Sequence, residues 1–159
     1  MDQERKLLLS LLDEGYSRQT WHGPNLRGSL RGLTLSEAVW RPRPGRHNIW
    51  EIAVHAAYWK YAVRRRILGE KRGSFPLEGS NWFRRPTHTS RHAWKEDMDL
   101  LREMHLLLVD AVTNIPVSQF RTTPSGSKVS NLRQIYGVAM HDVYHAGQIQ
   151  LLKRLQRKG

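Results

Sequence analysis

The chain has 159 residues, carries 26 Lys and Arg against 14 Asp and Glu, and contains no cysteine. Its length fits one domain, residues 1–159, which is large enough to bury a core without disulfides or a structural metal. The lack of cysteine excludes disulfides and thiolate ligands, so any metal must be bound by His, Asp, Glu or backbone oxygen, and the formal net charge of +12 favours anionic partners.

Helical periodicity dominates the chain, and strand signals are scarce. The first predicted helix covers about residues 2–20, and its apolar side consists of Leu7, Leu8, Leu11 and Leu12. Charges of both signs interrupt its apolar residues, so this segment is neither a signal peptide nor a membrane span. We therefore expect a soluble, cytoplasmic protein. Further along, Thr34 and Glu37 have the spacing of a capping box, which predicts a short helical turn.

The second predicted helix covers about residues 49–68. Asn48 is the expected N-cap, and Glu51 stands at the third helical position, where it can return the hydrogen bond. Gly69 follows the helix, as a C-terminus prefers. The apolar stripe of this helix consists of Ile52, Ala56, Trp59 and Val63.

The third predicted helix covers about residues 91–113. Its apolar positions alternate in steps of four and three, which is typical of packing against nearly parallel or antiparallel neighbours; they are Trp94, Met98, Leu101, His105, Leu108 and Val112. The fourth predicted helix covers about residues 132–157, with Asn131 and Gln134 as its expected cap.

Four helices of about 20 residues, each with one apolar side, predict an all-α fold, a four-helix bundle. The connection between the second and third helices is long, and we expect it to pack over the bundle through Phe75, Trp82 and Phe83. Such long connections allow an order other than simple up-down-up-down. In the fourth helix, Ala146 and Gly147 are expected to allow a close approach between helices.

Three histidines form a candidate metal site. His141 and His145 are four residues apart on one helix and therefore project from the same face. His55 lies three residues after Ile52 and four before Trp59, so it points toward the bundle interior. Three inward histidines are costly to bury unless their ring nitrogens are satisfied, and a metal satisfies one nitrogen on each.

Three nitrogen ligands leave a coordination position open, as catalytic metal sites do. The nitrogen-only set suits Zn, Ni, Fe or Cu and argues against Ca or Mg. A metal-bound water would provide a nucleophile near neutral pH; alternatively, the metal activates a thiol or enol of the substrate.

The other histidines are assigned structural roles. His105 falls on the apolar seam of the third helix, and we expect it to bond to a backbone carbonyl, with a fourth metal ligand or a proton shuttle as alternatives. His22 is expected to be a capping or loop residue, although it could line the mouth of a site. His47, His88 and His92 lie near helix starts and are expected to be structural or exposed.

The chain resembles the DinB-like superfamily of small bacterial metal-binding helical proteins. The resemblance rests on HDVYHAGQIQLLK in the fourth helix, NIWEIAVHAAYWKYAVRRRILG around the second, and TWHGPNL after the first; FPLEGSNWF and LREMHLLL add to it. It implies a four-helix bundle in up-down-down-up order with a divalent metal bound by His55, His141 and His145. Members are often dimers, and characterised relatives include thiol-dependent transferases and isomerases as well as metal-dependent hydrolases.

The leading functional hypothesis is a metal-dependent enzyme, a thiol-dependent S-transferase with Zn or Ni as metal and a low-molecular-weight thiol as co-substrate. We expect a small anionic substrate and a homodimer. Tyr144 and Gln148 are candidates for hydrogen bonds to the ligands or for contacts with the substrate. Arg64, Arg65 and Arg66 are candidates for attracting an anion to the site. One alternative is a hydrolase, for which Asp142 is the nearest base, although we expect it to contact a neighbouring helix or to form a hydrogen bond that supports a ligand. The other alternative is a non-catalytic stress-related binding protein. Nucleic-acid binding is disfavoured because the basic residues are spread over every segment without a recognised motif.

Overall fold

The computed structural model describes residues 2–85 and 90–157. Within these ranges the chain forms six α-helices, one 3₁₀ helix and no strand, which confirms the all-α class. The α-helices are α1 Gln3–Tyr16, α2 Leu26–Leu30, α3 Leu35–Val39, α4 Ile49–Ile67, α5 Arg91–Asn114 and α6 Asn131–Arg157, and the 3₁₀ helix is Val117–Arg121. Among the described helices, none combines the length and the apolar character that crossing a membrane requires.

The four long helices predicted from periodicity are α1, α4, α5 and α6. The capping boxes predicted for α3 and α4 are both formed, at Thr34 with Glu37 and at Asn48 with Glu51. The cap predicted for α6 is wrong, because the helix already includes Asn131. The hydroxyl of Ser130 accepts the cap hydrogen bond instead, from the amide of Arg133 at 3.3 Å.

The helix α2 is absent from the sequence prediction. It covers five residues, and the Asn25 side chain caps it by accepting from the amide of Gly28 at 2.7 Å. Five residues are too few to show a helical period, so only the cap signals such a helix. It packs against α6 and, to a smaller extent, against α1.

The long helices pack in a closed arrangement, in which α4 lies against α5 and α6, and α1 lies against the same two helices. The up-down-down-up order of these helices stays a prediction. Buried residues from all four meet in the core, among them Leu8, Leu12, Ile52, Ala56, Leu101, Leu108, Ile135 and Ile149.

A close helix approach occurs at Gly15 and not at Gly147. A Cβ placed on Gly15 would lie 2.8 Å from the carbonyl oxygen of Ala139, so α1 and α6 are in backbone contact there. Gly147 is exposed, and a Cβ placed on it meets nothing within 4 Å, so the role predicted for it is wrong. Ala146 is buried, and its carbonyl accepts from Ser29 of α2 at 3.4 Å.

The connection between α4 and α5 packs over the helices, as predicted. Phe83 is buried, and Phe75 and Trp82 are partly buried against the core. This segment therefore forms part of the wall around the buried face of α4, where His55 lies.

Candidate metal centre

The three histidines predicted as ligands lie together in the fold. His55 comes from α4, and His141 and His145 come from successive turns of α6. Nε2 of His141 lies 3.0 Å from Nε2 of His55 and 3.0 Å from Nε2 of His145. All three ligand atoms lie within 4.8 Å of one another, so the group could hold one metal ion.

Hydrogen bonds fix the ring orientation of two of these histidines. Nδ1 of His55 donates to the main-chain carbonyl of Asn81 at 2.7 Å, and Nδ1 of His145 donates to Oε1 of Gln148 at 2.7 Å. A carbonyl oxygen only accepts, so both rings carry their proton on Nδ1 and present a lone pair on Nε2. This is the arrangement that metal-binding histidines generally show.

A cation fits this donor set. Nε2 of His141 lies 3.0 Å from two other nitrogens but has at most one proton to share with them. One ion bound by three lone pairs satisfies all of them, and nitrogens 3.0 Å apart can both reach an ion at the usual Zn–N distance of about 2.0–2.1 Å. Nδ1 of His141 is buried and has no hydrogen-bond partner in residues 2–85 and 90–157.

Burial lowers the pKa of these imidazoles. The pKa of His55 falls to about 4 and that of His141 to about 3, and the pKa of His145 is lowered as well. Burial is the largest cause in each case, and nearby histidines add to it. The rings are therefore neutral at pH 7 and need not lose a proton to bind a metal.

Asn81 supports the site from the loop after α4. Its main-chain φ is +66°, a left-handed conformation that Asn tolerates better than most residues. Two contacts hold it there: its carbonyl accepts from His55, and its side-chain Oδ1 accepts from Nε1 of Trp59 at 2.9 Å. The loop is thereby attached to two residues of α4 that face the same side.

Trp82 adds an aromatic layer over the histidines. Its ring stacks on His55 with centroids 3.8 Å apart, and His47 stacks on its other face at 3.6 Å. Nδ1 of His47 lies 3.2 Å from Oε2 of the buried Glu51, which also binds Arg41 through both carboxylate oxygens. His47 is thus a structural residue near a helix start, as expected, and it supports the wall of the site.

The histidines open into a groove of about 920 Å³. Its wall contains three arginines, Arg43, Arg46 and Arg66, and none of the described lining residues is a carboxylate. Apolar and aromatic side chains supply most of the remaining surface, namely Pro42, Ile52, Trp59, Val63, Trp82, Val138, Tyr144, Leu151 and Leu152. This surface suits an amphipathic anion.

A buried ion pair lies behind the histidines. Lys60 of α4 donates to Asp142 of α6, and both side chains are fully buried. Nζ of Lys60 also lies 3.4 Å from Nδ1 of His105, whose ring stacks on Tyr16 with centroids 4.0 Å apart. The backbone-carbonyl partner predicted for His105 is therefore wrong, because its neighbour is an ammonium group. Sequence reasoning did not identify Lys60 as part of the interior.

Asp142 contacts a neighbouring helix, as predicted, and does not line the groove. Burial raises the pKa of its carboxyl, although Lys60 opposes the rise. Tyr144 and Gln148 do line the groove, and Nε2 of Gln148 donates to the Tyr144 hydroxyl at 3.0 Å. Of the three candidate arginines, only Arg66 faces the groove, because Arg64 and Arg65 bind Glu70 at the end of α4.

Two of the remaining histidines, His22 and His92, stand apart from the site. His22 is exposed in the loop after α1 and does not line the groove. His92 is exposed and pairs with Glu96 on the same helix. His88 lies outside the described residues.

These features define a class of protein: an all-helical chain with three converging histidines that open into a groove. A sequence model of the DinB superfamily matches residues 18–149, and because the match covers most of the chain, the chain belongs to the DinB superfamily. The resemblance drawn from the sequence is thereby confirmed. No curated protein and no solved structure matches the chain significantly.

Proposed function

We propose that the chain is a metal-dependent S-transferase, which binds Zn or Ni through His55, His141 and His145 and joins a low-molecular-weight thiol to an electrophile. The observation that carries the proposal is the convergence of three neutral imidazoles, two of them fixed with their lone pairs turned toward the third. The nitrogen ligands favour a first-row transition metal over Ca or Mg.

The protein's own residues have distinct tasks in this reaction. Asn81 orients the ring of His55 by accepting its Nδ1 proton. Gln148 does the same for His145. Trp59 and Trp82 cover the site from the α4 side and restrict water. When bound, the metal supplies Lewis-acid chemistry that lowers the pKa of a thiol and presents it as a thiolate. The positive groove attracts an anionic thiol.

The position of Asp142 favours thiol transfer over hydrolysis. A hydrolase needs a general base close to the reacting water. The nearest carboxylate in sequence, that of Asp142, is engaged with Lys60 inside the protein, and the described groove lining contains no carboxylate. A thiol depends less on such a base than water does, because its pKa is about 8.5 before coordination, whereas that of water is about 15.7.

We further propose that the chain forms a homodimer through α6. One face of this helix carries large apolar side chains that are exposed in the single chain: Met140, Tyr144, Leu151 and Leu155. Exposed apolar side chains grouped on one side of a helix are typical of an interface. Sedimentation equilibrium tests the dimer, and Leu155→Lys, which lies outside the groove lining, is expected to shift it toward monomer.

The test of the metal site is direct. Protein purified without a His-tag should contain, or take up, about one Zn or Ni per chain, and His145→Ala or His141→Ala should lose most of it. His92→Ala, an exposed histidine away from the groove, is the matched control. If the wild-type chain takes up no first-row metal when one is offered, the proposal is wrong. A screen of thiols against electrophiles then separates an enzyme from a non-catalytic binding protein, because only the enzyme shows turnover.

A further inference from the structure

Arg66 is a partly buried arginine of the groove wall for which the described residues supply no carboxylate partner, in contrast to three other partly buried arginines. Arg41 binds Glu51, Arg64 binds Glu70, and Arg85 binds Asp97. Arg66 is half-buried in the groove wall, and none of the described carboxylates pairs with it. A cation that has lost part of its hydration without gaining a counter-ion gains strongly from an incoming anion.

Two neutral contacts hold the Arg66 side chain in place. Its guanidinium carbon lies 5.6 Å from the ring centroid of Trp59, and Nη1 lies 3.4 Å from Oε1 of Gln134. Burial lowers the pKa of Arg66, and the nearby Arg65 and Arg72 add to the effect. Arg43 and Arg46, which also line the groove, are exposed. Arg66 is therefore the least exposed of the three groove arginines.

Arg66 lies at a defined separation from the histidines. Its partner Gln134 precedes His141 by seven residues on α6, which corresponds to a rise of about 10 Å. Trp59, Val63 and Val138 line the groove between these two points. The wall between the cation and the histidines is therefore apolar.

Gly137 keeps this part of the groove open. It lies inside α6, where Gly is less favourable than Ala. No close packing explains it, because a Cβ placed there meets no protein atom within 4 Å. Gly137 also lines the groove, so a side chain at this position would occupy the space between Gln134 and His141.

We propose that Arg66 and Gln134 form a subsite for an anionic group, carboxylate or phosphate, at the far end of an elongated substrate whose reacting end faces the histidines about 10 Å away. The proposal deepens the proposed function and rests on it for the position of the reacting end. The substrate class is an anion with an apolar segment that lies along Trp59, Val63 and Gly137. The Arg66 guanidinium supplies paired N–H donors of the kind that recognise carboxylate and phosphate.

Octanoate, octyl phosphate and octanol test the subsite, because they share an apolar chain and differ in the head group. Titration of ¹⁵N-labelled protein should shift the Gly137 amide and the Arg66 Nε–H signals. We expect whichever anion binds more tightly to exceed the affinity of octanol about 10- to 100-fold, because a hydrogen bond to a charged group contributes about that factor. The ratio between the anions distinguishes a carboxylate from a phosphate substrate.

Variants connect this preference to Arg66. Arg66→Gln should reduce anion affinity to about that of octanol, whereas Arg133→Gln, an exposed cation of α6 outside the groove, should leave it unchanged. Gly137→Leu should weaken all three probes by filling the groove, and it provides a second test if Arg66→Gln folds poorly. Equal affinity for octanol and both anions in the wild type, or wild-type anion affinity in Arg66→Gln, would overturn the subsite.

Anion binding is measured on the protein as purified and again after Zn loading, which separates the proposed metal site from the proposed anion subsite. Arg66-dependent binding without any metal uptake would leave the anion subsite standing while the metal function fails. Metal uptake without an anion preference would leave the metal site standing while the subsite fails. Anion-induced shifts confined to His141 and His145 would place the head group at the histidines and also overturn the subsite.

Discussion

Lys60 and Asp142 form a fully buried ion pair that joins α4 to α6 directly behind the candidate metal centre. Lys60 lies five residues after His55, and Asp142 directly follows His141. The pair therefore connects the two helices that supply the histidines, at the level where those histidines meet. Such a pair specifies one register between helices more strongly than apolar contacts do, because a shift would leave two buried charges unpaired.

Breaking this pair from one side should be costly. Lys60→Met or Asp142→Leu alone leaves an uncompensated buried charge and is expected to lower the free energy of unfolding by about 3–5 kcal/mol. The double variant removes both charges and should recover much of that loss, which urea denaturation can measure. Simple addition of the two single losses in the double variant would contradict a coupled pair.

The same double variant tests whether the pair positions the histidines. If the pair holds His55 opposite His141, the double variant should bind Zn more weakly than wild type although it is folded. A role in stability alone predicts unchanged Zn affinity once the fold is restored. The measurement is competition with a chelator at a temperature well below unfolding.

The features that could be predicted from the sequence are those that depend on residues close together in the chain, such as helix caps and the spacing of side chains along one helix. The capping pair Asn48 and Glu51 marks the start of α4, and the four-residue spacing of His141 and His145 places them on one face regardless of tertiary structure. His55 was identifiable because its position relative to its apolar neighbours fixes the side of the helix on which it lies.

The supporting residues of the site were not predictable in this way. A lysine in a helix is assigned to the surface by default, and Lys60 is buried only because Asp142 meets it from another helix. Asn81 and Trp82 lie in a loop without periodicity, so their contacts with His55 depend on how that loop folds back over α4. These contacts arise from tertiary structure and have no local signal.

Gln148 should tune metal affinity through His145. Gln148→Leu removes the acceptor of the Nδ1 proton and is expected to weaken Zn binding about 10- to 100-fold, as for other partners of metal-binding histidines. Gln148→Glu offers a carboxylate to the same proton and should bind Zn at least as tightly as wild type. Equal Zn affinity of the Leu and wild-type chains would contradict the role of this hydrogen bond.

His105 should make the fold sensitive to acid. Burial, with Lys60 as the second cause, lowers its pKa to about 3, against an ordinary value of 6.5. Between about pH 6.5 and pH 3 the His105 ring is therefore protonated in the unfolded chain and neutral in the folded chain. The free energy of unfolding consequently decreases as the pH falls through this range. The loss is about 1.4 kcal/mol per pH unit, or about 2 kcal/mol at pH 5.

The variant His105→Phe keeps a ring against Tyr16 and removes the titration. Its unfolding free energy should fall less steeply below pH 6.5 than that of wild type, by about 1.4 kcal/mol per pH unit. The same measurement on Met98→Phe, a substitution in the same helix that removes no titrating group, is the control and should leave the slope unchanged. Identical slopes for wild type and His105→Phe would show that His105 is protonated in the folded chain.

Gly15 and Gly147 should respond oppositely to the same substitution. In Gly15→Ala the new Cβ would lie 2.8 Å from the main-chain oxygen of Ala139, so α1 or α6 must shift. Overpacking of this kind costs about 1–3 kcal/mol. In Gly147→Ala the Cβ meets nothing within 4 Å, and replacing a glycine in the interior of α6 should stabilise the chain by about 0.5–1 kcal/mol. Urea midpoints of the two variants, measured beside wild type, should move in opposite directions; a stabilised Gly15→Ala would mean that the contact between α1 and α6 is looser than its 2.8 Å indicates.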